Sequence, residues 1–438
     1  MKDSTPVVSR VLEDGTLIET LFDGTTSLLA VREAGGSTSV ADIYTTPAGE
    51  RLVPYSATNN LLTSGCVLLP SAIGEVGDKG EMVRAIGDYL DRYVDLSPGM
   101  RALAPYYVLL TWVYDAFAEL PYLRFRGDWG SGKTRCLLTI GSICYKPFFA
   151  SGASTVSPIF HILDAVGGTM VLDEADLRFS DTTADLVKVL NNGNMRGLPV
   201  LRTMTNKNRE LNPQAFSVFG PKVLAMRESF SDAALESRFV TEETSKRPLP
   251  PHIPIHLPKS LSAEARDLRN RLLSWRLQHF NDIEPNPERL IAGAAARTNQ
   301  TALALLSLID DPAVRVEAAA VFDEGNEALG RARRETTEGQ VVAALLTALA
   351  ETNTSHVPLA HVAEAFFNSN AGKPGVHPNP KWVGLTVRKL GVQTRKSHGV
   401  YVIPPTEHAR ILKLADAYGF PHAMTTTSAQ DADLLASP

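Results

Sequence analysis

Between residues 7 and 70, short apolar and β-branched runs ("TLIETLF", "SLLAVRE", "VADIYTT", "CVLLP") alternate with Gly, Ser and Asp. This is the pattern of a small β-rich domain, over residues 1–75. From residue 81 the period lengthens: "EMVRAIGDYLDRYV" and "MRALAPYYVLLTWVYDAF", parted by "DLSPG", predict a helical linker over 76–118. Across 122–244 strand-like runs alternate with helical ones, which predicts α/β layers around a mainly parallel sheet in a unit spanning 119–250. The Pro-rich "KRPLPPHIPIHLP" breaks that rhythm. After it, "AEARDLRNRLLSWRLQHF", "RLIAGAAARTNQTALALLSLI" and "PAVRVEAAAVFDEGNEALGRARR" have helical periodicity, giving an all-helical piece over 251–332.

Residues 335–405 read as three helices, "EGQVVAALLTALAE", "LAHVAEAFFNS" and "NPKWVGLTVRKLG", then two short strands joined through His398-Gly399. That order suggests a winged helix. Residues 406–438 complete the chain as a terminal helix and a flexible tail. No internal repeat is visible.

At 438 residues there is room for about three domains of roughly 150 residues. A composition 44% hydrophobic and 21% charged excludes fibrous and disordered classes. With a net charge of −5, any nucleic-acid contact must come from local basic patches. Cys66, Cys136 and Cys144 lack metal-ligand spacing and imply no disulfide framework, and the histidines form no ligand pattern. The N-terminus lacks the apolar stretch of a signal peptide, and the apolar run that starts at Ala102 meets Asp115 too early to span a membrane. The expected location is the cytoplasm, without a membrane partner.

The stretch "GDWGSGKT" carries the chemistry. Gly127, Gly132, Lys133 and Thr134 match G-x-x-x-x-G-K-[ST], between strand "YLRFR" and helix "TRCLLTIGSI". Residues Gly127, Asp128, Trp129, Gly130, Ser131, Gly132, Lys133, Thr134 and Arg135 are therefore candidates to bind ATP. The glycines let backbone N–H groups turn inward around phosphates, Lys133 supplies a point charge, and Thr134 offers a hydroxyl to Mg²⁺. About 40 residues on, "TMVLDEAD" ends a strand in Asp173 and Glu174. The first carboxylate can hold Mg²⁺ together with Thr134, and the second can polarise an attacking water.

The following segment, "NNGNMRGLPVLRTMTNKNRELNPQAFSVFGPKVLAMRESFSDAALESRF", resembles the AAA+ ATPases of phages and other mobile elements, which are similar to the MCM replicative helicases. The resemblance covers roughly residues 100–310 and is carried chiefly by "NNGNMRG", "FGPK" and "SRF". It implies an α/β P-loop AAA+ ATPase core with a helical lid, flanked by the β-rich N-terminal domain and the C-terminal winged helix. It also implies that Arg238 is an arginine finger reaching the neighbouring subunit's nucleotide, that Arg297 is a second sensor with Arg289 as the weaker candidate, and that the first sensor falls at Arg227, where the family usually carries Asn. The assembly implied is a hexamer.

Two basic segments are candidates for DNA. No acidic residue lies between Asp185 and Glu210, which frame Arg196, Arg202, Lys207 and Arg209. In the resembling families this segment is a hairpin in the ring's channel; here "VLRTM" and "AFSVFGP" would be its arms and "TNKNREL" its tip. A charged solvated loop is the bland alternative. Residues 365–406 also lack Asp and Glu while holding Arg388, Lys389, Arg395 and Lys396. The expectation is an ATP- and Mg²⁺-dependent ring helicase on single-stranded or forked DNA, with a primase or another replication protein as a possible partner. The competing classes are a protein remodeller or loader, and an ATP-switched DNA-binding regulator.

Overall fold

The computed structural model describes residues 4–75, 77–173, 181–205, 211–230, 232–245, 248–352, 356–370 and 380–420. Two compact units, Met1–Gly325 and Asn326–Pro438, make up the chain.

The first unit begins with seven short strands: β1 (Ser4–Val7), β2 (Ser9–Val11), β3 (Leu17–Phe22), β4 (Ser27–Arg32), β5 (Thr38–Ala41), β6 (Tyr44–Thr45) and β7 (Arg51–Pro54). They form a four-stranded antiparallel sheet, β2-β3-β4-β5, and a three-stranded one, β1-β7-β6. Strand β3 is buried on both faces: Ile18 packs with Leu29, Val31 and Leu52, whereas Leu17 and Leu21 enter the main core. Glu19, between the latter two, accepts from Arg276 Nε at 2.8 Å and from the Tyr145 hydroxyl at 2.6 Å. Arg276 also grips Asp115 at 2.6 and 2.7 Å. A buried carboxylate needs such partners, and these tie the β-rich region into the rest of the unit. The run "CVLLP" forms only a bridge, Val67 to Phe148, rather than the expected strand.

Next come α1 (Asn60–Thr63), α2 (Lys79–Tyr93) and α3 (Pro98–Trp112). Helix α2 starts on a capping box between Asp78 and Glu81, and α3 on Ser97 with Pro98 at its first turn. Five parallel strands follow: β8 (Tyr122–Arg126), β9 (Phe148–Ser151), β10 (Met170–Asp173) and, after the hairpin β11 (Val200–Thr205) and β12 (Leu211–Phe216), β13 (Lys222–Met226) and β14 (Phe239–Glu243). Their order is β14-β8-β13-β10-β9. Helices α4 (Lys133–Gly141), α5 (Val156–Val166), α6 (Asp181–Asn192) and the short α7 (Ala233–Glu236) connect them.

Alternation divides this sheet between two cores. Leu123, Phe125, Val171, Val223 and Ala225 pack on the side of α4, with Leu137 and Ile140. Tyr122, Met170, Leu172, Leu224 and Met226 pack on the side of α5 and α6, with Phe160 and Leu190. The expected second hairpin arm, "AFSVFGP", is displaced: β12 begins at Leu211, and Pro213 with polar Asn212 and Gln214 concealed it as a strand.

Helices α8 (Ser260–His279), α9 (Ala296–Leu306) and α10 (Pro312–Glu335) follow, and the division between the units falls within α10. The run "RLIAGAAARTNQTALALLSLI" is helical only from Ala296. Gly293 at φ +79° interrupts it, and Arg289 sits in a 3-10 turn instead of a helix.

The second unit holds α11 (Thr337–Glu351), β15 (Val357–Pro358), α12 (Leu359–Ser369), α13 (Pro380–Lys389), β16 (Arg395–Ser397), β17 (Val400–Ile403) and α14 (His408–Ala417). The three strands form an antiparallel sheet, β15-β17-β16, over a core that includes Val341, Leu345, Phe366, Val383, Val387 and Ile403. Both residues of the β16–β17 turn are left-handed, His398 at φ 47° and Gly399 at φ 86°, as a tight two-residue hairpin loop requires.

Candidate functional site

Strand β8 delivers the chain into the glycine-rich loop, and α4 begins at Lys133. Gly130 and Gly132 have φ of 74° and 90°, conformations that side-chain-bearing residues seldom adopt. At both, the space a Cβ would enter is open, as a cradle for a ligand needs. Gly127 is required for another reason: a Cβ there would lie 2.3 Å from Thr244 Oγ1 and 2.4 Å from its carbonyl oxygen. Thr244 follows β14 and braces the loop, its hydroxyl 2.7 Å from Ser131 Oγ and 3.0 Å from the Arg126 carbonyl.

Lys133 Nζ donates to the Gly127 and Asp128 carbonyls at 2.8 and 2.7 Å. Thr134 Oγ1 donates to Asp173 Oδ2 at 2.8 Å, which joins the end of β10 to the start of α4. These groups border a cleft of about 410 Å³ lined by residues 129–134, Asp173, Ala225 and Arg227. Trp129 stands at its lip, 73% exposed. The cleft lies at the carboxyl ends of parallel strands, where open α/β sheets hold ligands. A helix N-terminus, inward glycines and a lysine suit a polyphosphate, and the oxygen pair of Thr134 and Asp173 suits a hard divalent cation. Glu174 lies outside the described residues. Arg135 turns away, donating to the Tyr93 carbonyl at 3.1 Å and to the Ile255 carbonyl. Cys136, one turn into α4, has its thiol pushed up to about 12 by burial, which leaves it unreactive.

Arg227 comes next after β13 on the face of Val223 and Ala225, so its exposed side chain borders the cleft. Arg238 does not. It precedes β14, whose first residue pairs with Tyr122, whereas the glycine loop leaves the far end of β8. The five residues of β8 put roughly 16 Å between them, more than an arginine side chain spans. Arg238 is half-buried and donates to Asn191 Oδ1, while burial foremost, and Arg297 nearby, pull its guanidinium below the usual range. Arg297 approaches Glu119 at 3.8 Å, and Arg289 approaches Asp310 at 3.8 Å. Arg238 and Arg297 thus share one neighbourhood, away from their own chain's cleft.

Of the basic residues in the hairpin region, Lys207 and Arg209 lie outside the described residues. Arg196 donates to the Asp115 carbonyl at 2.6 Å, and Arg202 to Asp185 at 2.7 Å with its guanidinium over the Phe160 ring. In the second unit Arg388, Lys389, Arg395 and Lys396 are exposed; Arg388 bonds the Gly384 carbonyl at 3.0 Å and Arg395 meets His356.

Thr244 carries no sequence signal, because its contact with the loop follows from strand pairing. The same holds for the buried Arg124–Glu236 pair at 2.6 Å, which fixes α7 ahead of Arg238. Nothing in their local patterns marks them. Among the described residues no helix is long and apolar enough to cross a membrane, and no cluster of three His, Cys, Asp or Glu could hold a metal.

No protein-family model matches the chain, and no curated protein matches it. Solved structures with a related course include the apo form of the NrS-1 C-terminal region, 10% identical with a TM-score of 0.37 over 88% of this chain and 96% of that one. The SCCmec type IV Cch helicase is 12% identical with a TM-score of 0.39, over 93% and 80%. JCV helicase with an inhibitor bound is 16% identical with a TM-score of 0.25, over 61% and 65%. This is a loose likeness, and what the site can do rests on its own residues.

Proposed function

We propose that the chain is an AAA+ type, ring-forming ATPase that moves on DNA, a translocase or helicase serving replication of a phage or mobile element. Lys133, bonded to the glycine-loop carbonyls, beside the Thr134–Asp173 hydrogen bond at the carboxyl edge of a parallel sheet carries the reading. Bound Mg²⁺-ATP supplies a terminal phosphoryl group for transfer to water. The N–H groups of residues 127–134 and the start of α4 hold the phosphates, and Lys133 swings from the loop carbonyls to join them. Thr134 and Asp173 retain the metal, and Glu174 orients the attacking water and takes its proton. Arg227 neutralises charge within the subunit. Arg238 acts on the nucleotide of a neighbouring subunit and Arg297 serves as the second sensor, which makes a ring, hexameric in the resembling families, the active form.

In this reading residues 251–332 form the lid, 335–405 a winged helix, and 1–75 a β-rich accessory domain. Lys207 and Arg209, between β11 and β12 in the sequence, track a phosphate backbone; Arg196 and Arg202 hold the hairpin's base. Arg388, Lys389, Arg395 and Lys396 add a second DNA contact, and a primase or another replication protein is a natural partner.

The ATPase rate, measured with and without single-stranded and forked DNA over a range of salt and with Lys133→Ala as the blank, tests this. Expected is turnover that DNA stimulates and salt suppresses. Turnover indifferent to DNA would sink the motor and favour a protein remodeller. No turnover above the blank would sink the ATPase.

A further inference from the structure

The β16–β17 hairpin carries an aromatic ring that its own core does not use. Tyr401 is 52% exposed, and among the described residues its ring makes no aromatic or cation–π contact. It lies directly across from Lys396. Alternation puts Lys396, Tyr401 and Ile403 on one face of the hairpin. Ile403 is wholly buried and packs in the core with Val383 and Val387 of α13. Tyr401 therefore emerges on the face of the hairpin that Ile403 turns to the core, just beyond the end of that core. The tight turn at His398-Gly399 keeps the hairpin short, so ring and ammonium are held by paired backbone and not by a long loop.

Their surroundings name the partner. Residues 365–406 contain no Asp or Glu, and on α13 the exposed Leu385, Arg388 and Lys389 continue the same character. An aromatic ring and apolar stems among cations that pair with no carboxylate among the described residues match a strand that offers bases and phosphates together. Within a duplex the base faces are already stacked on one another. An unpaired strand presents them, and any base can stack because each has a π-face.

We infer that Tyr401 and Lys396 form a binding site for an unpaired nucleotide of single-stranded DNA, the phenol ring stacking on the base and the ammonium meeting the adjacent phosphate. The inference rests on the DNA-motor reading and adds to it a stacking residue and a preferred strand state.

The test titrates the full-length protein into a single-stranded oligonucleotide containing 2-aminopurine, and into the matched duplex, over a range of salt. Stacking quenches the probe. Tyr401→Ala should lower single-strand affinity about tenfold and lose the quench, whereas Tyr401→Phe should keep both within about twofold. Lys396→Ala should keep the quench and reduce the salt slope by about one. A Tyr401→Ala protein that binds and quenches as the parent does overturns the inference, and so does an equal loss of duplex affinity. A parent protein that binds no single strand overturns the DNA-motor reading itself, an outcome distinct from either.

Discussion

Arg227 gains its position from strand parity. It extends β13 by one residue on the face of Val223 and Ala225, and so reaches the cleft that Lys133, Thr134 and Asp173 line. In the proposed reading a guanidinium there serves the third phosphate of ATP and adds little to the hold on a diphosphate. Arg227→Ala should therefore cut kcat about a hundredfold, the usual cost of one charge-stabilising donor, while leaving ADP affinity nearly unchanged. Steady-state kinetics beside an ADP titration check this; an equal loss of ADP affinity would mean that Arg227 holds the whole nucleotide. The glycine loop, Lys133 and Asp173 were legible in the sequence because each is fixed by a few consecutive residues entering or leaving a strand. Thr244 was not, since its contact with Ser131 spans 113 positions and exists only because β14 pairs with β8. Arg227 was legible as a position, but only parity shows which way it faces.

Among the elements, the resemblance motifs "NNGNMRG" and "FGPK" acquire a common physical cause. Lys222 opens β13 wholly buried, its Nζ donating to the carbonyls of Gly193, Val218 and Gly220 at 3.3, 2.9 and 2.9 Å. A Cβ on Gly193 would stand 2.3 Å from that Nζ. One lysine thus seals the end of α6 to the entry of β13, and both motifs are needed for it. Burial pulls its ammonium down to about 7. The folded state therefore holds fewer protons than the unfolded state from about pH 7 up to the ordinary lysine range, and in that window stability rises with pH. Lys222→Met should be less stable at pH 7, because three carbonyls lose their donor, and should show a shallower rise in unfolding midpoint between pH 7 and 9. Identical slopes in urea unfolding series of the two proteins would mean that Lys222 stays charged in the fold. Helix periods and the parallel core could be read from pattern, because each face repeats locally. Strand β12 could not, since Pro213 and its polar neighbours suit an exposed hairpin more than a recognisable strand.

Across the whole molecule, the two arginines that the resemblance ties to hydrolysis stand apart from the cleft they would serve. Arg238 sits at the amino end of β14, a strand's length from the glycine loop, beside Asn191 and near Arg297 and Glu119. Single-chain geometry gives it no route to its own phosphate site, so a catalytic Arg238 has to act on another copy. Heterologous contacts of that kind give rings where the rotation closes, and in the proposed ring every site is built from two subunits. Arg238→Ala and Lys133→Ala proteins should then each be inactive alone yet recover turnover when co-assembled. A subunit with an intact loop needs only a neighbour with an intact arginine, and random mixing at equal amounts creates such pairs at about a quarter of the interfaces. Recovery near that fraction of the parent rate, in mixtures whose co-assembly is verified by size and by tagged pull-down, is the expected result. Co-assembled mixtures that stay inactive, or an Arg238→Ala protein that hydrolyses ATP normally by itself, would remove Arg238 from the chemistry and leave it as the anchor of Asn191.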